Sequence, residues 1–263
     1  MMDQEEKSGM RPQRPMALRE PKARIESVLA ASPVCFWDFS QGLASKGRAA
    51  YTLRDGNGNI SYAPDGLFGK RCPDMGEGRY FVLPREECPL LDFSARRSAL
   101  TVIAWVKRRP KALPECQAVA GMWNETRRQR QYCLFLDLKI WESGQQVGGH
   151  VSATGGPTEG YPYCMDAAIG ATPVPMDAWH MIGFSYDGSV ARAYLDGALD
   201  IRGERNPYAY GRPLFSPGGN GADFTVGGVH RGGEMGNWFT GLLGGLALFD
   251  FPLEAEALRA FAL

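Results

Sequence analysis

The sequence has no run of eighteen apolar residues and no pair of cysteines at C-x-x-C spacing, and it holds only three histidines in 263 residues. The first absence leaves no candidate for a membrane-spanning helix, so no membrane insertion is expected. The second, with no Cys and His at ligand spacing, leaves no zinc motif. Neither sign of charge is in excess, since Lys+Arg and Asp+Glu number 29 each. A nucleic-acid partner therefore has no electrostatic basis. The basic run Arg127-Arg128-Gln129-Arg130 is short enough to read as a solvated loop. The first residues lack the apolar centre of a signal peptide; Met1 to Arg24 is charged and contains Pro12, Pro15 and Pro21. These features predict a cytoplasmic protein with six reduced cysteines, or an extracellular one if the chain is a processed form.

What is present is the pattern of many short strands. Apolar residues make up 44% of the chain, too many for disorder, and 33 glycines and 18 prolines supply turns. Residues 1–33 read as a flexible N-terminal tail and 34–263 as one domain, its order beginning at Val34-Cys35-Phe36-Trp37. Leu100 to Val106 is β-branched and aromatic, a strand buried on both faces. Tyr132 to Leu138 and Val147 to Ala153 are further strands, with Gly148-Gly149 marking a bulge or a close backbone approach. The plainest signal is a meander. Trp179 to Tyr186 runs into the turn pair Asp187-Gly188, Val190 to Leu195 returns, and Asp196-Gly197 turns again. Phe224 to Val229 and Leu242 to Phe249 complete the strands, and a short C-terminal helix follows Pro252. Asn206 to Gly221 is a long loop rich in Pro, Gly, Tyr and Asn.

The segment Trp179-His180 … Phe184-Ser185-Tyr186-Asp187-Gly188 … Tyr194-Leu195-Asp196-Gly197 resembles the signature meander of laminin G-like jelly rolls in the concanavalin A-like lectin/glucanase superfamily. Tyr80 to Pro84, Leu100 to Val106 and Gly241 to Phe249 resemble that family's early, middle and last strands, in order. The resemblance implies an all-β, two-sheet antiparallel jelly-roll sandwich. It also implies a curved sheet whose groove takes an oligo- or polysaccharide. The family holds lectins, enzymes and adhesion domains, so three functions stay open: carbohydrate binding, a polysaccharide lyase or glycoside hydrolase using the same groove, and a protein–protein adhesion domain. No E-x-D-x-x-E, H-x-N-x-R or Q-x-H motif occurs, which favours binding over the known catalytic patterns.

Candidate ligand-binding residues are those that offer aromatic faces, amides, acids or cations from strands and loops. They are Trp123, Asn124, Glu125, His150, Ser152, Tyr161, Tyr163, Arg192, Asn237 and Trp238. Alternation turns His150 away from Val151, and Arg192 away from Ala191 and Ala193, so both point outward from their strands. If the chain is an enzyme, His150, Tyr163 and Arg192 are the residues to transfer protons and neutralise a sugar carboxylate. His180 belongs to the family's fold signature and reads as structural. No cofactor is required. The family's structural calcium would draw on Asp38 and Asp250, at matching places on the first and last strands.

Overall fold

The computed structural model describes residues 20–94 and 98–263. Two nine-stranded sheets pack face to face. The first contains β1 (Cys35–Trp37), β3 (Ser61–Ala63), β4 (Cys72–Met75), β6 (Ala99–Arg108), β11 (Trp179–Asp187), β12 (Val190–Leu195), β13 (Ala198–Leu199), β14 (Tyr208–Ala209) and β18 (Gly241–Phe249). The second contains β2 (Arg54–Asp55), β5 (Phe81–Leu83), β7 (Gln117–Asn124), β8 (Gln129–Leu136), β9 (Val147–Val151), β10 (Ala167–Ile169), β15 (Phe224–Val226), β16 (Val229–Arg231) and β17 (Glu234–Gly236). Their orders are β13-β12-β11-β6-β18-β4-β3 and β10-β9-β8-β7-β15-β5-β2. The ladders are antiparallel except where β16 meets β7 at His230 and Asn124. The apolar stretch expected over Phe224 to Val229 is two strands, because Gly227 (φ 86°) breaks it.

The strand Ala99–Arg108 shows why its sequence reads as continuously apolar. Leu100, Val102, Ala104 and Val106 enter the core between the sheets, while Ile103 and Trp105 enter a second apolar layer outside the first sheet. Two helices cover that layer, α1 (Pro21–Ala30) and α2 (Ala255–Phe261). Val28, Leu258 and Phe261 pack against Trp105 and Met181, and the Trp105 indole donates a hydrogen bond to the Phe261 carbonyl at 3.0 Å. The tail expected over 1–33 is therefore corrected for Pro21–Ala30, which is a docked helix. Pro21 stands at its first turn, where the missing N–H costs nothing. Residues 1–19 lie outside the described residues.

Gly148 and Gly149 sit in an unbroken ladder and make no bulge. Their close approaches are to protein: a Cβ on Gly149 would lie 2.4 Å from the Phe184 ring, and one on Gly148 would lie 2.3 Å from Leu138. All six cysteines are unpaired. No described helix is long and apolar enough to cross a membrane.

With both helices on the first sheet, the outer face of the second sheet is left to loops. It carries a small apolar cluster of its own, including Trp123, Cys133, Phe135 and Cys164.

Candidate functional site

The site is assembled by three neighbouring strands. Cys133 of β8 pairs with His150 of β9, and Trp123 of β7 pairs with Arg130 of β8. Alternation sends Leu134, Leu136 and Val151 into the core between the sheets and Cys133, Phe135 and His150 outward. A register shift beside Met122 and Trp123 leaves Gln131 as the extra residue and brings Arg130 opposite Trp123. Arg130 is thereby 5% exposed, with its guanidinium 5.8 Å from the Trp123 ring centre. Its place in a basic run gave no sign of this, and the solvated-loop reading is corrected for it.

These side chains enclose one wall of a cavity of about 420 Å³, within the usual size range for a small-molecule site. Trp123, Phe135, Leu138 and Ile140 supply its apolar surface, and Glu115, Glu125, Arg130, Lys139, His150, Arg231 and Asn237 its polar groups. Trp123 lies 5.0 Å from the His150 ring and donates its indole N–H to Glu125 Oε1 at 3.2 Å. Glu125 Oε2 is 3.6 Å from Arg130 Nη2, and Arg130 Nη1 donates to the Gly155 carbonyl at 3.3 Å. Across the cavity Arg231 Nη1 donates to Asn237 Oδ1 at 2.8 Å and to Glu115 Oε1 at 3.3 Å.

Protonation follows from burial. Removal from water pushes His150 down to about 4, with the nearby Arg130 charge adding to the effect. The ring is neutral at pH 7. Its Nδ1 faces the Asp166 carbonyl at 3.0 Å, so Nδ1 carries the proton and Nε2 is left as an acceptor. Burial also pushes the Cys116 and Cys164 thiols up to about 12. Both stay protonated and are poor nucleophiles.

One rim is a loop in an unusual backbone. Asp137, Lys139, Trp141 and Glu142 have φ between 52° and 58°, a left-handed region that costs non-glycine residues of order 1 kcal/mol or more each. The loop is tied down at several points. Arg108 holds Asp137 at 2.7 and 2.8 Å, Arg205 covers the Trp141 ring at 3.8 Å, and the Trp141 indole donates to the Met165 carbonyl at 3.0 Å. Backbone held this way collects at functional sites, and this stretch delivers Leu138, Lys139 and Ile140 to the cavity.

Of the sequence candidates, the structure brings together Trp123, Glu125, His150, Tyr163 and Asn237. Others are elsewhere. Arg192 is outward as alternation requires, but on the first sheet, paired with Asp187 at 2.6 Å. The set His150, Tyr163 and Arg192 therefore does not meet. Ser152 is buried and accepts the Gly155 N–H at 3.0 Å, holding a turn. Asn124 accepts the Arg127 N–H at 2.9 Å and lines a separate cavity of about 120 Å³. Tyr161 packs edge-on to Trp141 at 5.8 Å and faces a cavity of about 480 Å³. Trp238 lies 5.9 Å from Tyr80 and lines a cavity of about 350 Å³ that shares the Glu115–Arg231 wall. His180 is bound to Asp196 at 2.8 Å, a structural role. Glu115 and Lys139 join the site through tertiary contacts that no local spacing announces.

The two carboxylates of the expected calcium site do not fit one ion. Asp38 is held by Lys46 and Ser40, and Asp250 by Arg48. The ladder of β1 on β18 pairs Trp37 with Leu246 and Cys35 with Leu248, so Asp38 and Asp250 lie beyond its opposite ends. Among the described residues no three His, Cys, Asp or Glu side chains converge on a metal position.

No curated protein matches the sequence. Among solved structures, the fold is similar to the fourth domain of an extracellular arabinanase from Geobacillus stearothermophilus, solved with arabinotriose (16% identity, 88% of this chain and 98% of that chain, TM-score 0.56). It is similar to a Trypanosoma rangeli sialidase in complex with 2,3-difluorosialic acid (14% identity, 92% of this chain and 37% of that one, TM-score 0.58). It is also similar to the receptor-binding domain of a botulinum neurotoxin C/D mosaic serotype (8% identity, 87% of this chain and 50% of that one, TM-score 0.55). At these identities the likeness is one of fold. A laminin G-type family model, described as the concanavalin A-like lectin/glucanases superfamily, matches residues 76–259, most of the sandwich and every strand of the cavity, and the chain belongs to that superfamily.

Proposed function

We propose that the protein binds an oligo- or polysaccharide in the cavity on the outer face of the second sheet. One observation carries this reading. Among the described residues, the sheet face that no helix covers holds a cavity in which an aromatic surface, Trp123 with Phe135, is ringed by hydrogen-bonding groups from Glu125, His150, Arg231 and Asn237. A sugar ring has apolar C–H faces and a girdle of hydroxyls, and such a cavity meets both at once. The arabinotriose complex of the similar arabinanase domain supports the same ligand class. Binding is favoured over turnover because the proton-transfer set is dispersed, Arg192 being on the other sheet. Glu115 and Glu125 are also each in an ion pair with an arginine, an arrangement that holds a ligand rather than delivers a proton.

The test is a glycan array followed by titration of the strongest ligand. Tyr163, at 59% exposure, is free to change without loss of packing. Tyr163→Ala should weaken binding about tenfold, the scale of one aromatic contact, at an unchanged melting temperature. Arg192→Ala should leave affinity unaltered. An array with no ligand, or affinity lost through Arg192 and kept without Tyr163, would contradict the reading and turn attention to protein adhesion.

A further inference from the structure

The charges in the cavity do not balance. Arg130, Arg231 and Lys139 face Glu115 and Glu125, three cations against two carboxylates, while His150 and the two thiols carry no charge at pH 7. The hydrogen bonds are as uneven as the charges. Both carboxylates are already answered: Glu125 by the Trp123 indole and Arg130, Glu115 by Arg231 and by Lys111 at 3.4 Å. Arg130 gives Nη2 to Glu125 and Nη1 to the Gly155 carbonyl, and only its buried Nε is left without a partner among the described residues. Arg231 is different. Only its Nη1 has protein partners among the described residues, and its side chain is 40% exposed. Lys139 uses one of its three N–H groups, on the Pro114 carbonyl at 2.6 Å. The unspent groups are thus donors on cations, with His150 Nε2 as the spare acceptor.

We infer that the cavity selects a carboxylate-bearing saccharide over its neutral counterpart, the carboxylate meeting the open edge of Arg231 with Lys139 beside it. This rests on the saccharide reading and narrows it. A guanidinium edge presents two parallel N–H groups that match a planar carboxylate, and the surplus positive charge in a partly desolvated cavity favours an anion. A sulfated sugar shares the charge and lacks the planar pair of oxygens.

The test titrates the full chain calorimetrically with tetramers of galacturonic, mannuronic and guluronic acid. Each is paired with its carboxyl-reduced form, and a sulfated galactan oligomer is run beside them. At least one uronate should bind ten or more times tighter than its reduced form. Arg231→Gln should collapse that ratio, weakening the uronate far more than its reduced form, and Lys139→Gln should reduce it. Both side chains are solvent-accessible, so melting curves of the two variants should match the parent. Equal or tighter binding of a reduced form, or preference for the sulfated oligomer, overturns the inference. If neutral glycans bind with Tyr163 dependence while no uronate does, the saccharide reading stands and only the charge selection falls. If no saccharide binds, both fall.

Discussion

Arg108→Met should lower the free energy of unfolding by about 3–5 kcal/mol, the cost of removing one partner from a buried ion pair. Arg108 is fully buried at the end of β6. Its guanidinium reaches from the first sheet to the Asp137 carboxylate at 2.7 and 2.8 Å, and to the Val174 carbonyl at 2.8 Å. Asp137 also accepts from Gln117 at 2.6 Å, too little to answer a carboxylate at 13% exposure. The double variant Arg108→Met, Asp137→Asn should regain part of the loss, because no charge is then left unpaired. Urea unfolding of the three proteins at constant slope measures this. A loss under about 1 kcal/mol for the single variant would show the pair to be solvated. The effect should reach the cavity as well, since Asp137 begins the left-handed loop that supplies Leu138, Lys139 and Ile140.

Stability should fall as pH drops from 6.5 toward 4, and His150 should account for roughly 3 kcal/mol of the fall. The sign follows from proton binding. The unfolded chain protonates His150 near 6.5 and the folded chain only at about 4. Between those values the unfolded state binds more protons, so acid favours unfolding. The interval between them, at 1.36 kcal/mol per pH unit, gives the magnitude. Below pH 4 both states are protonated and the contribution stops growing. His150→Phe keeps a ring against Trp123 and Phe135, which lie 5.0 and 5.3 Å from the imidazole, and removes the titration. It gives up the bond to the Asp166 carbonyl, so it should be less stable at pH 7, by about 1 kcal/mol. Its stability should then be nearly flat between pH 6.5 and 4.5, where the parent's declines. Asp92 and Asp187, whose burial is outweighed by hydrogen bonds that hold their carboxyls below 3.8, titrate beneath this window. Parallel pH slopes in parent and variant would mean that the folded protein protonates His150 freely.

The sequence was most legible where structure is local. Asp187-Gly188 and Asp196-Gly197 mark turns with glycine at positive φ, and the strands they join form the meander, with Leu195 opposite Ala198 across the second turn and Tyr186 opposite Ala191 across a wider first one. Alternation correctly turned His150 and Arg192 outward. It could not say from which sheet, because a strand's own pattern is the same in either layer; β9 and β12 were assigned to opposite sheets by pairings far away in sequence. Arg130 was hidden by a one-residue shift in β8, which reverses the facing of what precedes it. The rim loop was hidden because Asp137, Lys139, Trp141 and Glu142 are not glycine, the residue that ordinarily announces left-handed backbone. The helix Pro21–Ala30 was hidden by its proline, which starts a helix as readily as it breaks one. Glu115 and Arg231 meet across 116 positions of sequence, a distance over which no spacing rule operates.

The most direct test of the central claim is amide and indole chemical-shift mapping of the nitrogen-labelled protein during titration with its strongest glycan ligand. Saturable shifts should appear at the Trp123 indole, at Glu125, His150 and Arg231, and along the loop bearing Tyr163. The helix-covered face around Trp105 and Arg192 should stay silent. Saturable shifts centred on that face, or on the 206–221 loop with Trp123 unmoved, would place the ligand elsewhere and contradict the account.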